Sequence, residues 1–159
     1  MKRSTERILT THTGSLPRPD DLIALMWARE ERKPSDAALL ALRISEATRE
    51  VVAQQARTGL DIIDDGEFSK TSYTNYIKDR LGGFEGPDIQ SFATTDARDY
   101  PGYASRLPAD PARARTRMPS CNGPIAVKDA DAVVRDIANL KQALRGVQYE
   151  DGFMTAVSP

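Results

Sequence analysis

The sequence has 159 residues, 22 basic and 23 acidic side chains, a net charge of −1 and 40% hydrophobic residues. That length suits one domain with its own core, and the balanced charge gives no basic excess to favour nucleic acid or an anionic membrane as a partner. One cysteine, Cys121, rules out an internal disulfide; no apolar run follows the charged start to suggest a signal peptide, and none approaches the ~20 residues of a membrane span, so a soluble cytoplasmic protein is expected.

The first apolar run, Ile8-Leu9-Thr10-Thr11, is rich in β-branched residues and stops at Gly14, which predicts a strand. Pro17 and Pro19 then hold off a helix until Asp20, the expected N-cap. After it, Leu22, Leu25 and Met26 share a helical face. Ser35-Asp36 opens the clearest helix, in which Leu40, Ile44, Ala47 and Val51 recur at helical spacing and Thr58-Gly59 supplies the stop. Leu60-Asp61-Ile62-Ile63 reads as a second strand, running into the polar turn Asp64-Asp65-Gly66-Glu67.

Tyr73, Tyr76, Ile77 and Leu81 outline a shorter helix closed by Gly82-Gly83, and their aromatic rings are expected to pack. Residues 84–117, with Gly86-Pro87, Pro101-Gly102, Pro108 and Pro111, predict a long irregular loop. A third strand is expected around 115–121, ending in Cys121-Asn122-Gly123-Pro124. Asp129 or Asp131 then caps a helix with the stripe Val133, Ile137, Leu140 and Leu144, ended by Gly146. Phe153 to Val157 gives a fourth strand. Strands alternating with amphipathic helices imply a parallel sheet.

In such sheets ligands bind beyond the carboxyl ends of the strands. The residues expected there are His12, Thr13, Gly14 and Ser15, then Asp64, Asp65, Gly66 and Glu67, then Cys121 and Asn122, then Ser158. Three carboxylates within four residues repel one another and call for a partner: a metal, a substrate ammonium or an arginine. A solvated turn is the plain alternative. Glycine at position 14 lets backbone approach a ligand, with hydroxyls on either side to hold an anion. His12 fits either an acid–base role or a hydrogen-bonded structural one. His12 and Cys121 are too few for zinc, so no metal site is expected within this segment.

Thr10-Thr11-His12-Thr13-Gly14-Ser15-Leu16-Pro17-Arg18-Pro19 resembles the first-strand motif of the cobalamin-independent methionine synthase family, especially its shorter single-barrel members. The stretch from Leu60 through Asp64-Asp65-Gly66-Glu67-Phe68 to Thr71 resembles that family's second-strand motif. Gly83-Phe84 and Gly123-Pro124 are similar too. The resemblance implies a partial TIM (β/α)8 barrel: residues 1–159 would be the N-terminal half of one barrel domain, roughly its first four βα units, and a fragment of a longer protein, since a complete barrel takes ~250 residues.

The activity implied is zinc-dependent transfer of a methyl group from a methylated folate to a thiol such as homocysteine. Thr13, Gly14 and Ser15 would hold the amino-acid substrate and Glu67 its ammonium, with Asp65 and Asn122 as further contacts and His12 as a possible catalytic group. The zinc ligands would lie outside this chain. Thr13 departs from the family's usual aliphatic residue, and no folate contacts can be matched in 84–117. Alternatives are alkyl transfer to another thiol such as coenzyme M, a non-catalytic half-barrel assembly module, or a lyase binding magnesium through Asp64, Asp65 and Glu67. The partners expected are a small thiol and a methyl donor, with neither nucleic acid nor membrane, and with self-association through open sheet edges.

Overall fold

The structure, a computed structural model, describes residues 2–86, 95–106 and 120–156, without the side chain of Thr74. Helix α1 (Asp20–Glu30) begins as soon as the prolines allow. Asp20 is its first residue rather than its cap, which falls on Pro19. Asp20 and Asp21 instead place negative charge in the first turn, where the helix dipole favours it. Helix α2 (Ala37–Arg57) is capped as its sequence predicts: the Asp36 carboxylate accepts hydrogen bonds from the Ala38 and Leu39 amides. Its predicted stripe of Leu40, Ile44, Ala47 and Val51 is buried, and Gly59 takes the left-handed conformation that releases the chain.

Strand β1 (Ile62–Ile63) follows at once. It lies between two parallel neighbours, a bridge at Thr11 on one side and β4 (Asp151–Gly152) on the other. The strand expected over Ile8 to Thr11 is thus reduced to that bridge and the bonds from the Asp61 and Ile62 amides to the Thr10 carbonyl. The last predicted strand forms earlier than expected, although the Phe153 amide still donates to the Ile63 carbonyl at 3.1 Å.

The segment between β1 and β4 departs most from expectation. Helix α3 (Tyr73–Arg80) is capped by Ser72, which accepts from the Asn75 amide. It passes directly into β2 (Leu81–Gly82), which pairs antiparallel with β3 (Ala126–Val127). Leu81 therefore belongs to an arm rather than to the helix. Gly83 closes the arm tightly: its φ is +90°, and a Cβ there would stand 2.7 Å from the Pro124 carbonyl oxygen. Part of the expected long loop is helical, as α4 (Thr95–Asp99) and α5 (Pro101–Ala104).

Residues 115–119 of the proposed third strand lie outside the described residues. Asn122 joins the arm, its amide donating to the Gly83 carbonyl. The described residues thus hold two small sheets, one parallel and one antiparallel, with no closed barrel, and their parallel set has three members rather than four.

Helix α6 (Asp131–Ala143) packs along α2 through the second half of its predicted stripe, with Leu140 buried and Leu144 against the same cluster, while the first half is turned by one residue. Ala132, Asp136, Leu140 and Ala143 are buried, while Val133 and Ile137 stay 47% and 40% exposed. Asp136 turns inward because the Tyr76 phenol donates to it at 2.8 Å and Arg80 reaches it at 3.3 Å while stacking on the Tyr76 ring. Burial and the adjacent Asp136 push the Tyr76 phenol up to about 12. Neither predicted aspartate occupies the cap position of α6, which falls on Ala130, yet Asp129 still accepts from the Ala132 amide.

Two apolar clusters flank the parallel strands. One joins Leu22 and Met26 of α1 to α2 and Phe68; the other joins Val52 and Ile63 to Leu140 and Ala143. Among the described residues no helix is long and apolar enough to cross a membrane.

Candidate functional site

The carboxyl end of β1 is built from the main chain outward. Gln55 of α2 grips the chain at Asp64, its amide nitrogen donating to the Asp64 carbonyl at 2.8 Å and its oxygen accepting from the Asp64 amide. Two overlapping aspartate turns follow. The Asp64 carboxylate accepts from the Gly66 amide at 2.7 Å and the Asp65 carboxylate from the Glu67 amide at 3.0 Å. Gly66 and Glu67 both adopt left-handed backbone, at φ +61° and +60°. For a glutamate this conformation costs about 1–2 kcal/mol. Strain of this kind persists where the surroundings over-determine it, as they do at functional sites.

The strained backbone presents Glu67 to hydroxyls from three separate parts of the chain. Ser15 donates to Oε2 at 2.6 Å, while Tyr73 and Thr155 donate to Oε1 at 2.5 and 2.9 Å. Glu67 is only 6% exposed. Burial alone would push its carboxyl up, but the Ser15, Tyr73 and Thr155 hydroxyls and the nearby Lys70 charge outweigh that and hold it below the usual range. A buried carboxylate is therefore kept ionised largely by neutral donors. Ser15 and Tyr73 themselves stand at the surface, so the assembly opens to solvent on that side.

The other two carboxylates of the turn have different fates. Asp65 forms a buried ion pair with Lys70 at 2.9 Å, their side chains 5% and 2% exposed. Asp64 is buried, and its Oδ2 has no hydrogen-bond partner among the described residues. Burial is the main force pushing its carboxyl up, against the bond from Gly66. The crowding that the sequence showed is thus relieved three ways: by a lysine, by hydroxyls and by favouring protonation. These carboxylates do not converge on one point, as magnesium ligands would.

The first motif meets the second through main chain as well as side chain. The Leu16 amide donates to the Gly66 carbonyl at 3.1 Å, and Arg18 donates to the carbonyls of Glu67 and Lys70 at 2.8 and 2.5 Å. Burial lowers the Arg18 pKa, with Glu67 and Asp65 opposing it. Gly14 has φ +99°, a conformation for which its lack of a side chain suits it. Thr13 is exposed beside it, and His12 Nε2 lies 3.0 Å from the Gly14 carbonyl, so the imidazole braces its own loop.

The model for the catalytic domain of the cobalamin-independent synthase family matches residues 8–106, well over half of the chain. The chain belongs to this family. It is also 33% identical over 75 residues to a Bacillus licheniformis protein named 5-methyltetrahydropteroyltriglutamate–homocysteine methyltransferase. That match covers 47% of this chain but only 10% of the relative's length.

Within this synthase-family chain, Ser15 and Glu67 are joined directly, with Gly14 and Asp65 close by in sequence. Asn122 is not part of that group: its side-chain oxygen accepts from the Glu85 amide within the arm. Ser158 lies outside the described residues. Among the described residues no three histidine, cysteine, aspartate or glutamate side chains are grouped to hold a metal ion. Cys121 is exposed on the arm. The described residues do not fit a zinc ion.

Sequence reasoning missed four members of the site: Arg18, Lys70, Tyr73 and Thr155. The spacing of Tyr73 and Tyr76 reads as packing, although Tyr73 follows Glu67 by less than two helical turns. Thr155 was legible in principle. Ending the last strand at Gly152 instead of Val157 makes Thr155 a residue just past a carboxyl end.

Proposed function

We propose that this chain is the amino-terminal part of a (β/α)8 methyltransferase barrel, in which the Glu67 site binds the amino-acid end of a thiol such as homocysteine. The observation that carries this reading is the buried, ionised Glu67, joined to Ser15 and held on strained backbone. An ionised carboxylate with an acceptor position to spare suits a primary ammonium. Ser15 gives its one O–H to Glu67, so the Thr13 hydroxyl and the backbone amides around Gly14, which adjoin Ser15 in the chain, would take the substrate carboxylate. Family membership and the name of the Bacillus licheniformis relative support the same substrate class.

In this proposal the described residues bind and orient the substrate, while zinc and the methylated folate engage parts of the barrel outside them. Holding the thiol substrate by both charged ends fixes where its sulfur projects, and such fixing of reactants lowers a bimolecular barrier. A sulfonate thiol such as coenzyme M fits less well, because it would bring negative charge to Glu67 without an ammonium. The whole of 1–159 would serve as one barrel segment in the cytoplasm. Its exposed Val133 and Ile137 and the free edges at Thr11 and β4 would be covered by the remainder of the barrel or, failing that, by self-association.

Glu67→Gln tests the assignment by calorimetry or NMR titration with L-homocysteine. A charge-assisted hydrogen bond contributes about 1.5–3 kcal/mol, so affinity should fall roughly tenfold or more. Equal affinity of the two proteins would remove Glu67 from this role.

A further inference from the structure

Glu67 has donors enough to raise a question of capacity. An ionised carboxylate offers roughly four acceptor positions, two on each oxygen. Tyr73 and Thr155 both donate to Oε1, and Ser15 donates to Oε2. Among the described residues Oε1 is therefore filled, and Oε2 retains one open position beside Ser15.

We propose that Tyr73 is a specificity-determining residue of this site, its phenol and the Thr155 hydroxyl together closing Oε1 so that a substrate ammonium is admitted only at Oε2, next to Ser15. The inference rests on the reading of Glu67 as the ammonium site. Three features single out Tyr73 for the role. Its backbone starts α3, fixed by the Ser72 cap, so the phenol is aimed by a rigid element. It is 36% exposed while Glu67 is buried, which places the ring at the solvent side of the carboxylate. Burial and the bond to Glu67 both raise the phenol's pKa, so it remains a proton donor at neutral pH.

The consequence is directional. A single charge-assisted bond at a fixed position orients a primary ammonium. Removing the phenol oxygen would open a second acceptor position and let the ammonium bridge both oxygens. Binding of the ammonium would then become tighter but less fixed in direction.

The test uses the full chain with 13C-labelled glutamate, comparing wild type, Tyr73→Phe and Thr155→Val. In both variants the Glu67 carboxyl should titrate at higher pH than in wild type, since each loses a donor to the charged form. An unchanged Glu67 titration in Tyr73→Phe overturns the proposal without any ligand. NMR titrations with L-homocysteine and with 4-mercaptobutyrate, which lacks the amine, give the second readout. Tyr73→Phe should bind homocysteine about threefold to tenfold more tightly and leave 4-mercaptobutyrate unaffected. If wild type prefers homocysteine and Tyr73→Phe binds it equally or more weakly, the role of Tyr73 is wrong while the ammonium site stands. If wild type shows no preference for the amine, the ammonium reading falls and this proposal with it.

Discussion

Asp61 and Glu67 stand at opposite ends of β1, and both are held more acidic than an ordinary carboxyl group, by different means. Asp61, at the amino end, is held down first by the Arg7 guanidinium at 2.6 Å and then by the Thr10 amide and hydroxyl, within an exposed network that also links Arg7 and Lys2 to Glu150. Glu67, at the carboxyl end, is buried against its own preference and rescued mainly by hydroxyls. A surface ion pair tethers chain ends at little cost and is screened by salt. A buried carboxylate ringed by neutral donors keeps its charge uncompensated and available to a ligand. One end of the strand ties the chain together, and the other keeps a buried charge that the proposed substrate ammonium would meet.

The comparison breaks most readily at Lys70, the cation paired with Asp65 in the acidic turn. Lys70→Met should strand the Asp65 charge and cost about 3–5 kcal/mol of stability, measured by urea unfolding. A loss well below that would mean that Asp65 escapes to water, and that the turn is less rigid than Glu67 requires. Next in size is Tyr76→Phe, which leaves the buried Asp136 one donor short and should cost about 1–3 kcal/mol. Because Arg80 still reaches Asp136, a value near the lower bound is expected.

The pH dependence sharpens the contrast at Glu67 itself. Its folded pKa lies below its unfolded one, so it contributes stability that is present above the ordinary glutamate range. That stability is lost as pH falls through this range towards the lower folded value. Asp64 has the opposite sign: its raised folded pKa favours the protein at low pH, and that contribution disappears as pH rises through the folded value. Stability measured across mildly acidic pH should therefore lose part of its acid-side decline in Glu67→Gln and gain at higher pH in Asp64→Asn. A Glu67→Gln curve parallel to that of wild type would contradict the ionised state assigned to Glu67. The smallest effect is expected for Arg7→Ala at the amino end, where any shift in unfolding midpoint should vanish at high salt. A shift that survives salt would give Asp61 a structural weight comparable to that of the carboxyl end.

The sequence was most legible where a local rule acts alone. The stripe, cap and stop of α2 follow from the spacing of Leu40, Ile44, Ala47 and Val51, the Asp36 carboxylate and Gly59, all within one helix. The meeting of the His12–Ser15 and Asp64–Glu67 stretches at one rim also followed, because parallel strands place their carboxyl ends together. The first half of the α6 face did not follow, whereas Leu140 and Leu144 of its second half did. Val133 and Ile137 satisfy helical periodicity as well as Ala132 and Asp136 do, and the choice was made by α2, Tyr76 and Arg80, which lie far away in sequence.

The same division holds for the site. The sequence by itself determined which carboxylates crowd the turn after β1, because their spacing along the chain is covalent. Which of them would be paired, protonated or left charged was decided only by tertiary structure, since Lys70, Ser15, Tyr73 and Thr155 act through distances that no spacing rule encodes. Charge in a folded protein depends on what is buried beside it, and burial is a property of the whole packing rather than of any one segment.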